Sequence, residues 1–341
     1  MSYEFNKEDK WKLISHLQKS IRKGLKKEAY QAARWAYSVD PTYTIYRMAV
    51  IAFEDVAGAS PDVIVEAMEK GWKRKNIEDN LGGIDFISLT AMQWADTVKD
   101  RIANEFCSCF LWYDRFTKIY GDVNKLGIND LSYISWNQDI FWAYRGIAAW
   151  AIAGSKLYPN KILNDKTNNW DKWIELNIEN GVDENIIKCM GFGSKTQNEG
   201  SPIFLGFVNK SIKEEKAIIK ENKKILMFDN IGPYLSSAID KHTREGKQAI
   251  SYFLHRRQDI VDWFIKKGLS YDDCFKTIGK IQFMMEGGQL NKYYDYPTKN
   301  KIEKDLRLEL QESLDINGSE LFKLIGNINE WHDARVKVLN I

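Results

Sequence analysis

Cysteine and proline are scarce in this chain, four and six among 341 residues. Cys107, Cys109, Cys189 and Cys274 contain no C-x-x-C pair of the kind that zinc sites use. Cys107 and Cys109 are too close for an easy mutual disulfide, so free core thiols in a reducing compartment are expected. His16, His242, His255 and His332 form no HxxxH or HxE pair, and no metal site is expected. Charge of one sign is also lacking, with 49 basic against 47 acidic side chains. A nucleic-acid coat protein is usually more basic, so any acidic partner must be met by local patches. No apolar run approaches the roughly 18 residues that a membrane span needs, and no membrane contact is expected. The first residues are polar and charged, unlike a secretory signal, which points to a cytoplasmic location.

A phosphate-binding loop is missing too. It requires G-x-x-x-x-G-K-[ST], so that backbone N–H groups wrap the phosphates and the hydroxyl holds Mg²⁺. Gly246-Lys247-Gln248 and Gly279-Lys280-Ile281 lack the hydroxyl residue. Gly191-Phe192-Gly193-Ser194-Lys195-Thr196 has the wrong spacing and reads as part of a loop over 191–202, the best candidate for a mobile segment. ATP hydrolysis is not expected, and no cofactor is expected.

What is present is helical periodicity. Trp11, Ile14, Leu17 and Ile21 recur at three- and four-residue steps, which predicts a helix over 7–24 with one apolar face, stopped by Gly24. Ala29, Ala32, Ala33 and Ala36 line a second helix that ends at Asp40-Pro41. A third spans about 42–56, and Ser60-Pro61 starts the next as N-cap and first helical position. Helices follow near 84–97, 100–120, 130–155, 170–179 and 183–190, then a charged one over 211–224, and more near 233–241, 246–267, 271–286, 300–312 and 318–336. The run FWAYRGIAAWAIAG is apolar almost all round, as in a central core helix. Alternating strand patterns are scarce, and 12 tryptophans suit a compact body. The expected fold class is all-α and multi-helical.

The order LQKSIRKG…AARWAY…DPTYTIYRMAVIAFEDVAGASP, within residues 14–68, resembles the collar region of the clamp-loader-related AAA+ ATPases called RarA, MgsA or WRNIP. The most specific stretch is Arg47 followed by Ile51-Ala52-Phe53-Glu54-Asp55-Val56-Ala57. Phe53 departs from the pattern, which usually has a small residue there. The resemblance covers about a sixth of the chain. It implies a collar-like helical domain over 1–122; the chain's length allows two domains, so a second helical domain is expected over 123–341. The resemblance further implies a homo-oligomer that takes part in DNA replication or recombination, without the ATPase module.

Three groups of residues could carry chemistry. Glu54 and Asp55 close an apolar helix, and burying them unpaired would be costly. A structural ion pair with Arg47 is the first expectation, with Lys19 or Arg22 as other partners. The segment Asp240-Lys241-His242-Thr243-Arg244-Glu245-Gly246-Lys247, followed by His255-Arg256-Arg257, is the densest mixture of charge. Thr243 or Asp240 could cap a helix there, whose free N–H groups and dipole favour anions. Arg244, Lys247, His242, Arg256 and Arg257 are therefore candidates for phosphate or nucleic-acid contact, and Asp240 and His242 for catalysis. The third group is aromatic: Trp112, Tyr113, Phe116 and Tyr120 with Arg115 and Lys118 interleaved, then Trp136, Phe141, Trp142 and Tyr144. Such stripes are usually core, although stacking platforms for bases share the pattern. Tyr293, Tyr294 and Tyr296 stand outside any regular helix and could face a groove.

The expectation is a non-ATPase replication or recombination accessory protein that oligomerises and contacts DNA or replication and repair proteins, of viral or mobile-element character. An all-α enzyme acting on a nucleotide or nucleic acid at 240–247, or a protein-binding inhibitor module, are the alternatives.

Overall fold

The computed structural model describes residues 3–112, 114–123, 125–154, 170–196, 200–222, 230–312 and 328–339. The fold is all-α in class, with two short two-stranded ribbons. An Asn6 capping box leads into α1 (Lys10–Arg22). Gly24, at φ +68°, makes the turn into α2 (Lys26–Val39). Asp40 accepts from the Tyr43 backbone N–H at 3.0 Å and Pro41 takes the first position of α3 (Pro41–Ile51). Pro61 opens α4 (Pro61–Glu69), but Ser60 spends its hydroxyl on the Val98 carbonyl, 3.0 Å away, and caps nothing. α5 (Arg74–Asn80) and α6 (Ile84–Asp96) follow.

The alanine stripe lets α2 lie close against α1 and α6, and all four alanines are buried within the chain. Trp11 does not share the apolar face of α1: it is 54% exposed, whereas Ile14, Leu17 and Ile21 are buried. The polar side of α1 is also inside, because Ser15, Gln18, Lys19, Arg22 and Lys23 are all buried.

Each long helix expected in the middle of the chain is two. α7 (Ile102–Trp112) and α8 (Asp114–Val123) replace the first, and α9 (Ile128–Trp136) and α10 (Trp142–Ala153) the second. α11 (Trp170–Glu179) is followed by α12 (Glu184–Thr196), which runs through the glycines and lysine expected in a loop over 191–202. Gly193 has a packing reason: a Cβ there would lie 2.3 Å from Pro202. Phe53, where the collar pattern has a small residue, is fully buried nearby. The buried turn Ser201–Phe204 leads into α13 (Leu205–Glu214). The charged helix expected over 211–224 is helical only to Glu214, within α13. Beyond it the chain forms β1 (Ile218–Glu221), antiparallel to β4 (Lys292–Asp295). That pairing accounts for Tyr293 and Tyr294, while Tyr296 is buried and donates to Asp100 at 3.2 Å.

β2 (Asn230–Ile231) and β3 (Tyr234–Leu235) form a hairpin about Gly232 where a helix start was expected. α14 (Arg244–Arg256) and α15 (Gln258–Lys266) break at Arg257, and α16 (Tyr271–Gln282) runs into a π-helical turn, Phe283–Gly287. α17 (Pro297–Glu312) and α18 (Ile328–Leu339) complete the described chain.

One apolar cluster extends from Leu17 to Leu306 and takes residues from both sides of position 122. Trp136, Phe141, Trp142 and Tyr144 pack in or against it, so this aromatic group is core. Tyr120 is buried with them. Tyr113 and the side chains of Trp112, Arg115, Phe116 and Lys118 lie outside the described residues. A second cluster joins α14, α15, α16 and α18, where Phe253 stacks on Trp331 with ring centres 3.7 Å apart.

Candidate nucleic-acid interface

The fold builds its charged centre from two π-helical turns, Ala52–Val56 and Phe283–Gly287. Such turns widen a helix locally and recur at functional sites. In the first, Glu54 and Asp55 both turn to α1. Gln18 Nε2 donates to Glu54 at 2.7 Å and to Asp55 at 3.2 Å. Arg22 Nε donates to Asp55 at 2.7 Å, and Arg101 Nε lies 2.9 Å from the same oxygen. Glu54 is 3.4 Å from Arg22. The expected Arg47–Glu54 pair is not formed: among the described residues Arg47 makes no ion pair and its buried Nε has no acceptor. Arg22 won because α1 carries it into the buried seam beside both carboxylates. Arg22 and Arg101 also donate to the carbonyls of Gly287 and Gly288, at 3.1 and 3.3 Å, and so cap the second π turn. Burial works to raise the Asp55 pKa, but the two guanidinium groups overcome it and the net shift is downward.

Phe283 lies at the middle of this centre. Lys19, Arg22, Arg101 and Lys241 all approach its ring, 5.4 to 5.7 Å from the centroid. Lys19 reaches on to Asp240 at 2.5 Å and Ser15 at 2.9 Å. This buried pair anchors the turn in front of α14. The other Asp240 oxygen accepts from the His242 backbone N–H at 2.9 Å, and the Asp240 carbonyl accepts from the Thr243 hydroxyl at 3.0 Å. Thr243 is the N-cap of α14, accepting from the Gly246 N–H at 2.9 Å. Gly246 is required by this turn, since a Cβ would sit 1.8 Å from the Asp240 carbonyl oxygen. Gly246→Ala is expected to cost about 1–3 kcal/mol, as overpacking does. A native urea midpoint in that variant would refute this account of the turn.

The candidate residues therefore separate. Asp240 is buried with both carboxylate oxygens engaged, which removes it from the side chains able to meet a substrate. His242 rests edge-to-face on Phe283, ring centres 5.5 Å apart. His242 is exposed at the surface, but desolvation on the Phe283 side, with Lys19, Lys241 and Arg22 nearby, lowers its pKa against the pull of Asp240. The direction favours the neutral imidazole, which makes His242 a weaker phosphate partner than an arginine or lysine. Arg257 is held by Asp259 at 2.9 Å and Glu330 at 3.0 Å, so it leaves the phosphate set.

Arg244, Lys247 and Arg256 remain. Their side chains are exposed and make no hydrogen bond or ion pair with described residues. Arg244, Gln248, Ser251 and His255 make the exposed face of α14, which has no carboxylate; Lys247 borders it on one side, and Arg256, half a turn round from Lys247, ends the helix on the other. Glu245, beside Arg244, is turned to Lys12 at 3.4 Å. The charge density of 240–257 was readable in the sequence. Its sorting into buried anchors and free cations was not, because the partners Lys19 and Glu330 are remote in the chain.

Among the described residues, no three His, Cys, Asp or Glu side chains come together as a metal site would need, and no helix is long and apolar enough to cross a membrane. Compared with protein-family models, curated proteins and solved structures, the chain matches none.

Proposed function

We propose that this protein is a non-ATPase accessory factor of DNA replication or recombination, which associates with copies of itself and contacts the nucleic-acid backbone through α14. The observation that carries this reading is the exposed side of α14 around Arg244 and Lys247, which, like Arg256 at the helix end, have no ion pair among the described residues. Arg244 and Lys247, one turn apart on a rigid, capped helix, suit neighbouring phosphates, and Arg256 adds a cation at the helix end. The resemblance of residues 14–68 to a replication-associated collar supports the same direction. The alanine stripe is occupied inside the chain, so association would use other surfaces.

Salt titration of DNA binding tests the reading. Replacing Arg244, Lys247 and Arg256 together by alanine should lower the slope of log K against log salt by about two to three, because each lost phosphate contact removes about 0.7–0.9. Arg244→Lys should restore only part of the affinity lost in Arg244→Ala, since lysine cannot offer a bidentate fork. An unchanged slope in the folded triple variant would reduce this helix face to solvated charge. Light scattering at micromolar concentration should give a mass above one chain, and a strictly monomeric mass would remove association from the reading.

A further inference from the structure

Trp11 departs from the apolar face of its helix and is the exposed indole among the described tryptophans. It is not alone on that surface. Tyr43 of α3 meets it edge-to-face, with ring centres 5.2 Å apart, and Tyr46 stacks on Tyr43 at 6.1 Å. Trp11 is 54% exposed and Tyr46 42%. Lys10 lies 4.6 Å from the centre of the Tyr43 ring and 5.8 Å from that of Trp11. Arg47, whose charge also acts on Tyr43, has no ion pair and a buried Nε without an acceptor. Two nearby carboxylates are matched, Asp40 with Lys10 at 3.3 Å and Asp9 with Lys12 at 2.8 Å. Arg47 has no such partner among the described residues. One residue beyond Trp11, Lys12 reaches Glu245 at 3.4 Å, an ion pair that joins the first turn of α1 to the first turn of α14, where Arg244 lies.

We propose that Trp11, Tyr43 and Tyr46 form a stacking platform for the bases of a single-stranded nucleic acid, with Arg47 on its backbone and the strand continuing to Arg244. This rests on the reading of α14 as a phosphate-contacting face and adds which form of nucleic acid is bound. In a duplex the faces of the bases are covered by their neighbours, and an exposed ring gains nothing from them. An unpaired strand offers those faces, and every base has one, so the preference is for strandedness over sequence. Partly exposed rings held in fixed contact by α1 and α3 lose little freedom on stacking.

Fluorescence anisotropy tests this with labelled oligothymidylate and oligouridylate of about fifteen nucleotides, together with a duplex of equal length, all at low salt. Binding of either single strand should be tighter than binding of the duplex and should quench tryptophan emission. Comparing the two strands tells DNA from RNA. Trp11→Ala should weaken single-strand binding about 5- to 150-fold, the range for loss of one stacked base, and leave the duplex affinity unchanged. Trp11→Phe should keep most of the affinity. Both variants should melt as the native protein does, because the indole is largely in solvent. If Trp11→Ala and Tyr46→Ala bind single strands as tightly as the native chain while the α14 variants lose affinity, the platform is overturned and the α14 reading stands. If neither form of nucleic acid binds, both fall. If Trp11→Ala instead lowers the solution mass without touching strand binding, the rings serve contact between copies and the proposal is wrong.

Discussion

Asp55→Ala is expected to destabilise the fold by about 3–5 kcal/mol, the cost of breaking a buried ion pair by removing one partner. Asp55 is fully buried and answers two guanidinium groups, Arg22 at 2.7 Å and Arg101 at 2.9 Å. Without the carboxylate, two like charges face each other in the interior. Arg22 is already pushed down in pKa, first by burial and then by Arg101. Glu54→Ala should cost clearly less, because that side chain keeps some contact with solvent and is 3.4 Å from Arg22. Urea unfolding decides the matter through the midpoint at unchanged slope. The pH dependence has a definite sign. The Asp55 pKa is depressed in the folded state, so its contribution is present above the unfolded carboxylate range and is lost as pH falls through the folded value. Equal midpoints for Asp55→Ala and the native protein would show that the seam between the two π turns holds nothing together.

How much of this was legible in the sequence varies from element to element. The helices with strong punctuation were: α1 ends before Gly24, and α3 begins after Asp40-Pro41. A run apolar almost all round marked α10 as a core helix, and its residues from Ala143 to Ala153 are nearly all buried. Places where long-range contact overrides local pattern were not legible. The stretch 218–221 reads as a charged helix, yet it pairs with a strand more than 70 residues later. The GFGSKT sequence reads as a loop because of its glycines, but Gly193 is needed for close approach to Pro202. Lys19 and Arg22 were candidate partners for Glu54 and Asp55, and Arg22 does reach Asp55, but the partners Asp240 of Lys19 and Ser237 of Lys23 carry no sign in the sequence. Periodicity cannot announce a partner 221 residues away. The Trp11 platform fails in the opposite sense. A tryptophan on an apolar repeat is expected inside, and only the packing of α1 shows it outside.

Two buried lysines should make the protein more stable as the solution turns mildly alkaline. Lys23 is fully buried and donates to the Ser237 hydroxyl at 2.5 Å. Lys99 is fully buried and donates to the carbonyls of Ala95 and Thr97 at 2.8 and 2.7 Å. Burial pushes each of them down to about 7, despite nearby carboxylates, Glu286 for Lys23 and Asp55 and Asp96 for Lys99. In the unfolded chain both titrate near 10.4. Above about pH 7 the folded protein therefore releases protons that the unfolded chain keeps, and stability rises with pH through that window. From about pH 7 to about pH 8.5 each lysine should add about 1–2 kcal/mol, and the two together about 2–4 kcal/mol. Acidic groups pull the other way at higher pH. The buried Cys189 thiol, raised by burial, keeps its proton in the folded state while the unfolded chain loses it. A difference measurement cancels that contribution. Urea midpoints at the two pH values should rise for the native chain relative to a Lys23→Met, Lys99→Met double variant, in which the same groups remain apart from the two amines. The double variant should also be the more stable of the two at the lower pH, because methionine fills the space of the stem without a charge to desolvate. If the native midpoint does not climb relative to the variant, both amines stay protonated in the fold, and the low-dielectric interior inferred around α1 is wrong.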